Sequence, residues 1–133
     1  MFSFDHVSLS VKKLSETINF YKIFGFEVFN QYESEDKSIR IVMLKNNDNE
    51  YIELFNYSNY KENPEYMKSL STDLPVIGTK HMAFRVKDIK KVKEYVEEND
   101  ISKNVNITSG KLGRKYFFIN DPNGILIELI EEK

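Results

Sequence analysis

Asn49-Glu-Tyr-Ile-Glu-Leu-Phe55 combines apolar strand-forming residues with a carboxylate, and its Ile-Glu-Leu triplet returns in Gly124-Ile-Leu-Ile-Glu-Leu-Ile130. Both stretches are predicted to be buried strands. An ionised carboxylate in such a strand is costly unless a cation, a strong donor or water stabilises it. One such Glu is more commonly an outward-facing strand residue, but two in matching settings indicate that each has a partner.

The chain contains two histidines, and they lie at matching distances from these two acids. His6 precedes Glu53 by 47 residues, and His81 precedes Glu128 by 47 residues. The two halves are therefore in register at an offset of 75, which indicates an internal duplication. The duplication superimposes the four residues best suited to hold a divalent metal.

The order of predicted elements also repeats, as strand, helix and three strands in each half. In the first half, the apolar face of a strand at 4–11 packs on a helix at 13–24, so His6 points to the opposite face. Ser15 is a candidate cap for this helix and Gly25 its stop. The remaining predicted elements are strands at 26–32, 38–45 and around Glu53, a second His strand at 79–86, a helix at 88–99 capped by Asp88, strands at 105–108 and 115–120, a turn at 120–124 and the Glu128 strand.

The 133 residues are predicted to form a single α+β domain, as one compact unit or two intimately packed small halves, with module one at about 1–57 and module two at about 79–133. Residues 58–78 carry two prolines and no long period, so they are predicted to be a linker with one short helix around 65–70. This linker is a candidate lid over a pocket, and a plain surface connection is the alternative.

Composition excludes several classes of protein. The net charge of −2 comes from 19 basic and 21 acidic residues without a basic block, which argues against nucleic acid as a partner. No apolar run is long enough to span a membrane, and no signal peptide is apparent. The absence of cysteine fits a cytoplasmic protein and rules out thiolate ligands.

Two imidazoles and two carboxylates form a mixed nitrogen and oxygen ligand set suited to nickel, zinc, cobalt, iron or manganese. With water at the remaining positions, such a metal polarises a substrate carbonyl or enediolate. Taken singly, a His on a strand is more often structural than a ligand. The joint pattern of His6, Glu53, His81 and Glu128 favours a metal site.

Other candidate residues surround this set. In the loop 109–114, Lys111 or Arg114 is predicted to contact an anionic substrate, with a plain hairpin as the alternative. Arg85, four residues after His81 and on its face, is a candidate anchor for a carboxylate or a member of a salt bridge at the rim. Tyr57 shares the face of Glu53 and either walls a pocket or packs in the core.

The sequence resembles the vicinal oxygen chelate superfamily, and most closely its glyoxalase I branch. The matching stretches are 6–11 with 20–26, 51–55, 81–86 and 121–130. The resemblance implies two βαβββ modules forming an open barrel-like sheet, a homodimer, and one divalent metal held by His6, Glu53, His81 and Glu128. It also implies conversion of a thiol hemithioacetal of a 2-oxoaldehyde to a 2-hydroxyacyl thioester through a metal-stabilised enediolate, with Glu128 as the base and Glu53 as its counterpart.

Two departures from the glyoxalase I pattern affect the substrate more than the metal. Ser10 stands where these enzymes often have an arginine that contacts glutathione, and Tyr57 stands where a polar residue is expected. The alternatives are an epimerase, an antibiotic-modifying relative, or a metal-free protein that sequesters a small molecule. Whether each site forms within one chain or across a dimer is left open by the sequence.

Overall fold

Alternating apolar residues in the first 57 positions build one four-stranded sheet and one helix in the computed structural model, which describes residues 1–133. The first unit covers Met1–Asn63 and the second Pro64–Lys133. The elements of the first unit are β1 (His6–Ser10), α1 (Leu14–Lys22), β2 (Glu27–Glu33), β3 (Ile39–Lys45) and β4 (Tyr51–Tyr57). Its sheet has the order β1-β4-β3-β2.

The second unit repeats this order after two short helices. Its elements are a 3₁₀ helix (Glu65–Lys68), α2 (Leu70–Asp73), β5 (Met82–Val86), α3 (Ile89–Glu98), β6 (Thr108–Ser109), β7 (Lys115–Asn120) and β8 (Leu126–Glu131). The sheet order is β5-β8-β7-β6, so the predicted tandem βαβββ modules of an α+β protein are confirmed. The strands form two four-stranded mixed sheets that are not closed into a barrel.

The duplication extends to the hydrogen-bonding register of the sheets. β1 pairs in parallel with β4 so that Ser8 lies opposite Glu53. β5 pairs in parallel with β8 so that Ala83 lies opposite Glu128. The two acids therefore occupy equivalent positions. Glu53 lies on β4, next to the strand that contains His6, and Glu128 lies on β8, next to the strand that begins directly after His81.

Each sheet buries one face, and that face forms the core of its unit. The fully or nearly fully buried strand residues are Val42, Leu44, Ile52 and Leu54 in the first unit and Phe117, Ile119, Ile127 and Leu129 in the second. Burial of one such leucine contributes about 1.5–3 kcal/mol. Because side chains alternate along a strand, Glu53 and Glu128 lie on the opposite face of their sheets.

Local signals located several boundaries correctly. The Asp88 side chain accepts hydrogen bonds from the backbone N–H groups of Lys90 and Lys91, which confirms it as the cap of α3. Gly124 adopts φ +82°, as the predicted turn requires. Gly25 follows α1 with φ +85°, which L side chains rarely adopt.

Two local predictions are wrong. α1 begins at Leu14 and its capping position is Lys13, so Ser15 lies inside the first turn and caps nothing. The strand predicted at 105–108 is reduced to Thr108–Ser109. The Val105 backbone N–H donates to the Glu97 side chain at 2.9 Å and so is unavailable for sheet pairing.

The predicted short helix in the linker is present as the 3₁₀ helix and α2, and both belong to the second unit. Asp73, at the end of α2, is 3% exposed. Its Oδ1 lies 3.1 Å from Nζ of Lys80, which also donates to the Asp73 carbonyl at 2.9 Å. This pair ties α2 to the residue that precedes His81. No helix of the chain is both long and apolar enough to cross a membrane.

The turn between β2 and β3 is predicted to make stability depend on acid pH. Hydrogen bonds from the Ser34 and Ser38 hydroxyls lower the pKa of Asp36 from 3.8 to about 2. Because the pKa of Asp36 is lower in the folded state, its ionised form stabilises the fold. This contribution to the free energy of unfolding is complete above the pKa of the unfolded chain and is lost as pH falls from about 4 to about 2. Urea titrations across this pH range should show that acid lowers the free energy of unfolding less in Asp36→Asn than in wild type.

Glu35→Gln is the matched control for this measurement, because Glu35 is the neighbouring exposed acid in the same turn. An acid-induced loss in Asp36→Asn equal to that in wild type and in Glu35→Gln would contradict the assigned role of Asp36.

Candidate metal centre

The first His–Glu pair joins the start of β1 to the middle of β4. Nε2 of His6 lies 3.5 Å from Oε1 of Glu53, which also accepts a hydrogen bond from the Ser8 hydroxyl at 2.9 Å. On the other side of the ring, Nδ1 of His6 lies 2.6 Å from Oδ2 of Asp5. This contact with Asp5 raises the pKa of His6 above 6.5; desolvation opposes the increase and the Glu53 charge adds to it.

The second pair joins the residue before β5 to the middle of β8. Nε2 of His81 lies 3.1 Å from Oε2 of Glu128, and both side chains are less than one-quarter exposed. The ring packs edge-on against Phe118, at 5.0 Å between centroids. Phe118 lies directly opposite Glu128 in the β7–β8 pairing, so one aromatic residue borders both members of the pair. Nδ1 of His81 is buried without a hydrogen-bond partner.

The donor atoms of both pairs suit a divalent metal. Each unit directs one imidazole Nε2 and one carboxylate oxygen at each other, which is half of a mixed nitrogen and oxygen ligand set. The hydrogen bond between Asp5 and the distal nitrogen of His6 is the outer-shell contact that metal-ligating histidines commonly make. No group of three or more His, Cys, Asp or Glu side chains that could hold a metal is assembled in the chain. The structure therefore shows two ligand pairs, one in each unit.

A cavity of about 290 Å³ adjoins the second pair. Its lining includes both His81 and Glu128, together with Lys111 and Arg114 of the β6–β7 loop. The remaining lining residues, apart from Gly110, are apolar or aromatic: Leu70, Leu74, Leu112, Tyr116, Phe118 and Ile130. An apolar wall with two cationic side chains suits a small ligand that has an apolar part and a negatively charged part.

The β6–β7 loop is a hairpin that reaches the cavity, and contact of its cationic side chains with a substrate stays a prediction. It is a tight hairpin, closed by a 2.8 Å hydrogen bond from the Gly110 N–H to the Arg114 carbonyl. It also brings Lys111 and Arg114 to the cavity. Nε of Arg114 donates to the Glu131 carbonyl at 2.7 Å, which fixes the guanidinium at the end of β8.

Arg85 and Tyr57, the other two predicted substrate contacts, lie on β5 and at the end of β4. Arg85 is exposed on β5 and is not among the residues lining the cavity at His81. Tyr57 is 39% exposed at the end of β4, paired with Ile39 on the face that carries Glu53. Their roles in substrate binding stay predictions.

A family model decides the classification. The model described as Glyoxalase/Bleomycin resistance protein/Dioxygenase superfamily matches residues 3–129. The chain belongs to this superfamily.

Three solved structures have a fold similar to that of this chain. SMU.1112c is 27% identical, with a TM-score of 0.75 over 98% of this chain and 99% of that one. The trypanothione-dependent glyoxalase I of Leishmania major is 23% identical, with a TM-score of 0.67 over 99% and 88%. The fosfomycin resistance protein FosX of Listeria monocytogenes is 21% identical, with a TM-score of 0.63 over 98% and 92%. No curated protein sequence matches significantly.

A glyoxalase I and a fosfomycin resistance protein share this fold. Membership of the superfamily therefore does not by itself identify the reaction. The reaction must instead be inferred from the chemistry of the site. Sequence reasoning missed Asp5, Ser8 and Phe118 as neighbours of the two pairs. The offset of 75 could have found Phe118, because it corresponds to Met43, which lies opposite Glu53.

Proposed function

We propose that this protein is a metal-dependent lyase or isomerase that converts a thiol hemithioacetal of a 2-oxoaldehyde to a 2-hydroxyacyl thioester. The observation that carries the proposal is the pair of His–Glu contacts, repeated at equivalent register positions in two sheets. In this proposal His6, Glu53, His81 and Glu128 ligate one divalent metal. Nickel, zinc and cobalt suit the set best, and iron or manganese also fit. When bound, the metal would polarise the adjacent substrate oxygens and stabilise an enediolate.

Glu128 is the proposed base. Glu128 lines the cavity, whereas Glu53 accepts a hydrogen bond from the Ser8 hydroxyl that restrains its carboxylate. Ala83 occupies the position opposite Glu128 that Ser8 occupies opposite Glu53, so the second acid lacks a hydroxyl donor there. The hydrogen bond printed for Glu128 is with His81, its proposed fellow ligand, so Glu128 would be freer than Glu53 to detach from a metal and accept a proton.

The proton transfer needs no further reagent. Glu128 takes the proton from the hemithioacetal carbon and a proton returns to the neighbouring carbonyl carbon, while the hydroxyl proton moves from the first oxygen to the second, so the substrate is isomerised without net oxidation. Apolar and aromatic side chains line most of the cavity in which this exchange would take place. Lys111 and Arg114 offer positive charge for an anionic group of the substrate.

The proposal is tested by metal analysis of purified protein and by assays after reconstitution with nickel, cobalt or zinc. The panel contains the methylglyoxal hemithioacetals of glutathione and of other thiols, with epimerase substrates and fosfomycin as comparisons. About one metal per site together with hemithioacetal isomerisation supports the proposal. If the protein binds metal but turns over a different substrate of the panel, that reaction replaces the proposed one. If the protein binds no metal, the result favours a protein that sequesters a small molecule.

A further inference from the structure

The internal duplication is broken at the residue before each histidine. Asp5 and Lys80 occupy equivalent positions at the offset of 75, but they differ in charge. Asp5 contacts the imidazole that follows it, at 2.6 Å from Nδ1. Lys80 instead pairs with the buried Asp73, and Nδ1 of the following His81 has no hydrogen-bond partner. The two imidazoles are therefore held by different means.

The contact with Asp5 determines which nitrogen of His6 carries its proton. A carboxylate only accepts hydrogen bonds, so Nδ1 of the neutral ring must donate to Asp5. Nε2 then keeps its lone pair and faces Oε1 of Glu53 at 3.5 Å. In this tautomer two electron-rich atoms face each other, which is an arrangement that a cation between them stabilises.

We infer that Asp5 is a positioning residue, which holds His6 in the Nδ1–H tautomer and presents Nε2 to the metal. This inference rests on the metal site of the proposed function. Asp5 acts through His6, and the second half of the chain has no counterpart because Lys80 has no acceptor atom and pairs with Asp73 instead. The Glu128 carboxylate, 3.1 Å from Nε2, instead favours the Nε2–H tautomer of the neutral His81 ring, which packs edge-on against Phe118.

The tautomer can be measured in the metal-free protein by ¹⁵N NMR of the two imidazole rings at a pH where both are neutral. A His6→Gln variant assigns the signals. Wild-type His6 should be mainly Nδ1–H, and Asp5→Ala should move it towards Nε2–H with His81 unchanged. Asp5→Asn should keep the wild-type tautomer, because its amide oxygen still accepts from Nδ1. A His6 tautomer unaffected by Asp5→Ala overturns the inference.

Zinc titration against a competing chelator then tests the consequence for the metal. Asp5→Ala should weaken zinc binding by about 10- to 100-fold, as loss of outer-shell partners typically does, and Asp5→Asn should weaken it less. Asp100→Ala is the charge-matched control, since Asp100 is an exposed acid paired with Lys103. It should leave the Kd within about two-fold of the wild-type value.

The two proposals fail in different ways. Equal zinc affinities for Asp5→Ala and Asp100→Ala, in a chain that binds zinc, overturn the role of Asp5 and leave the metal-dependent function standing. A wild-type chain that binds no zinc, nickel or cobalt overturns the metal-dependent function and, with it, a role of Asp5 towards a metal.

Discussion

Replacing Glu128 with glutamine is expected to lower kcat for hemithioacetal isomerisation by about 10²- to 10⁴-fold, the range of a general acid–base contribution. The amide preserves the size of the side chain and an oxygen that faces His81, but it cannot accept the substrate proton. The measurement is steady-state turnover in excess metal, so that weaker metal binding does not limit the rate. Metal content is determined on the same samples.

Two variants control this result. Glu132→Gln makes the same chemical change on the exposed segment that follows β8 and should leave kcat unchanged. Glu53→Gln should reduce kcat less than Glu128→Gln, because Glu53 is held by Ser8 and does not line the cavity beside His81. A larger loss in Glu53→Gln would reverse the assignment of the base.

His6→Ala and His81→Ala are each expected to reduce bound metal from about one per site to nearly none. Loss of a direct ligand should weaken binding by more than the roughly 100-fold upper range for an outer-shell partner. The reason is that the proposed site needs both pairs, although each unit contains only one of them. Metal analysis after dialysis gives the result. A variant that keeps about half of the wild-type metal would indicate two independent sites.

Mixing the two histidine variants distinguishes a site within one chain from a site shared by two copies. If two copies share each site, a mixed dimer regains one intact site of its two, formed by the unaltered half of each chain. If all four ligands come from one chain, every site in the mixture stays defective. Co-expression with two different affinity tags isolates the mixed dimer for metal analysis.

Much of the fold could be predicted from sequence because its signals are local or periodic. The capping of α3 by Asp88 and the turn at Gly124 depend on residues a few positions apart. The boundaries of α1 and β6 were harder to predict. Ser15 has the right chemistry for a cap, but the helix begins one residue before it. A side chain from α3 takes the hydrogen bond that the strand predicted at 105–108 needed.

The sequence by itself determined the two-module architecture and the equivalence of the two His–Glu pairs, since a duplication at one offset keeps both register and side-chain parity. Only the tertiary structure decided what surrounds each pair. The contacts of His81 with Phe118 and of Lys80 with Asp73 depend on how separate elements pack. Even the contact between Asp5 and His6, adjacent in sequence, depends on which way each side chain turns. Spacing fixes where a residue stands along the backbone, whereas its partners are selected by rotamers and packing.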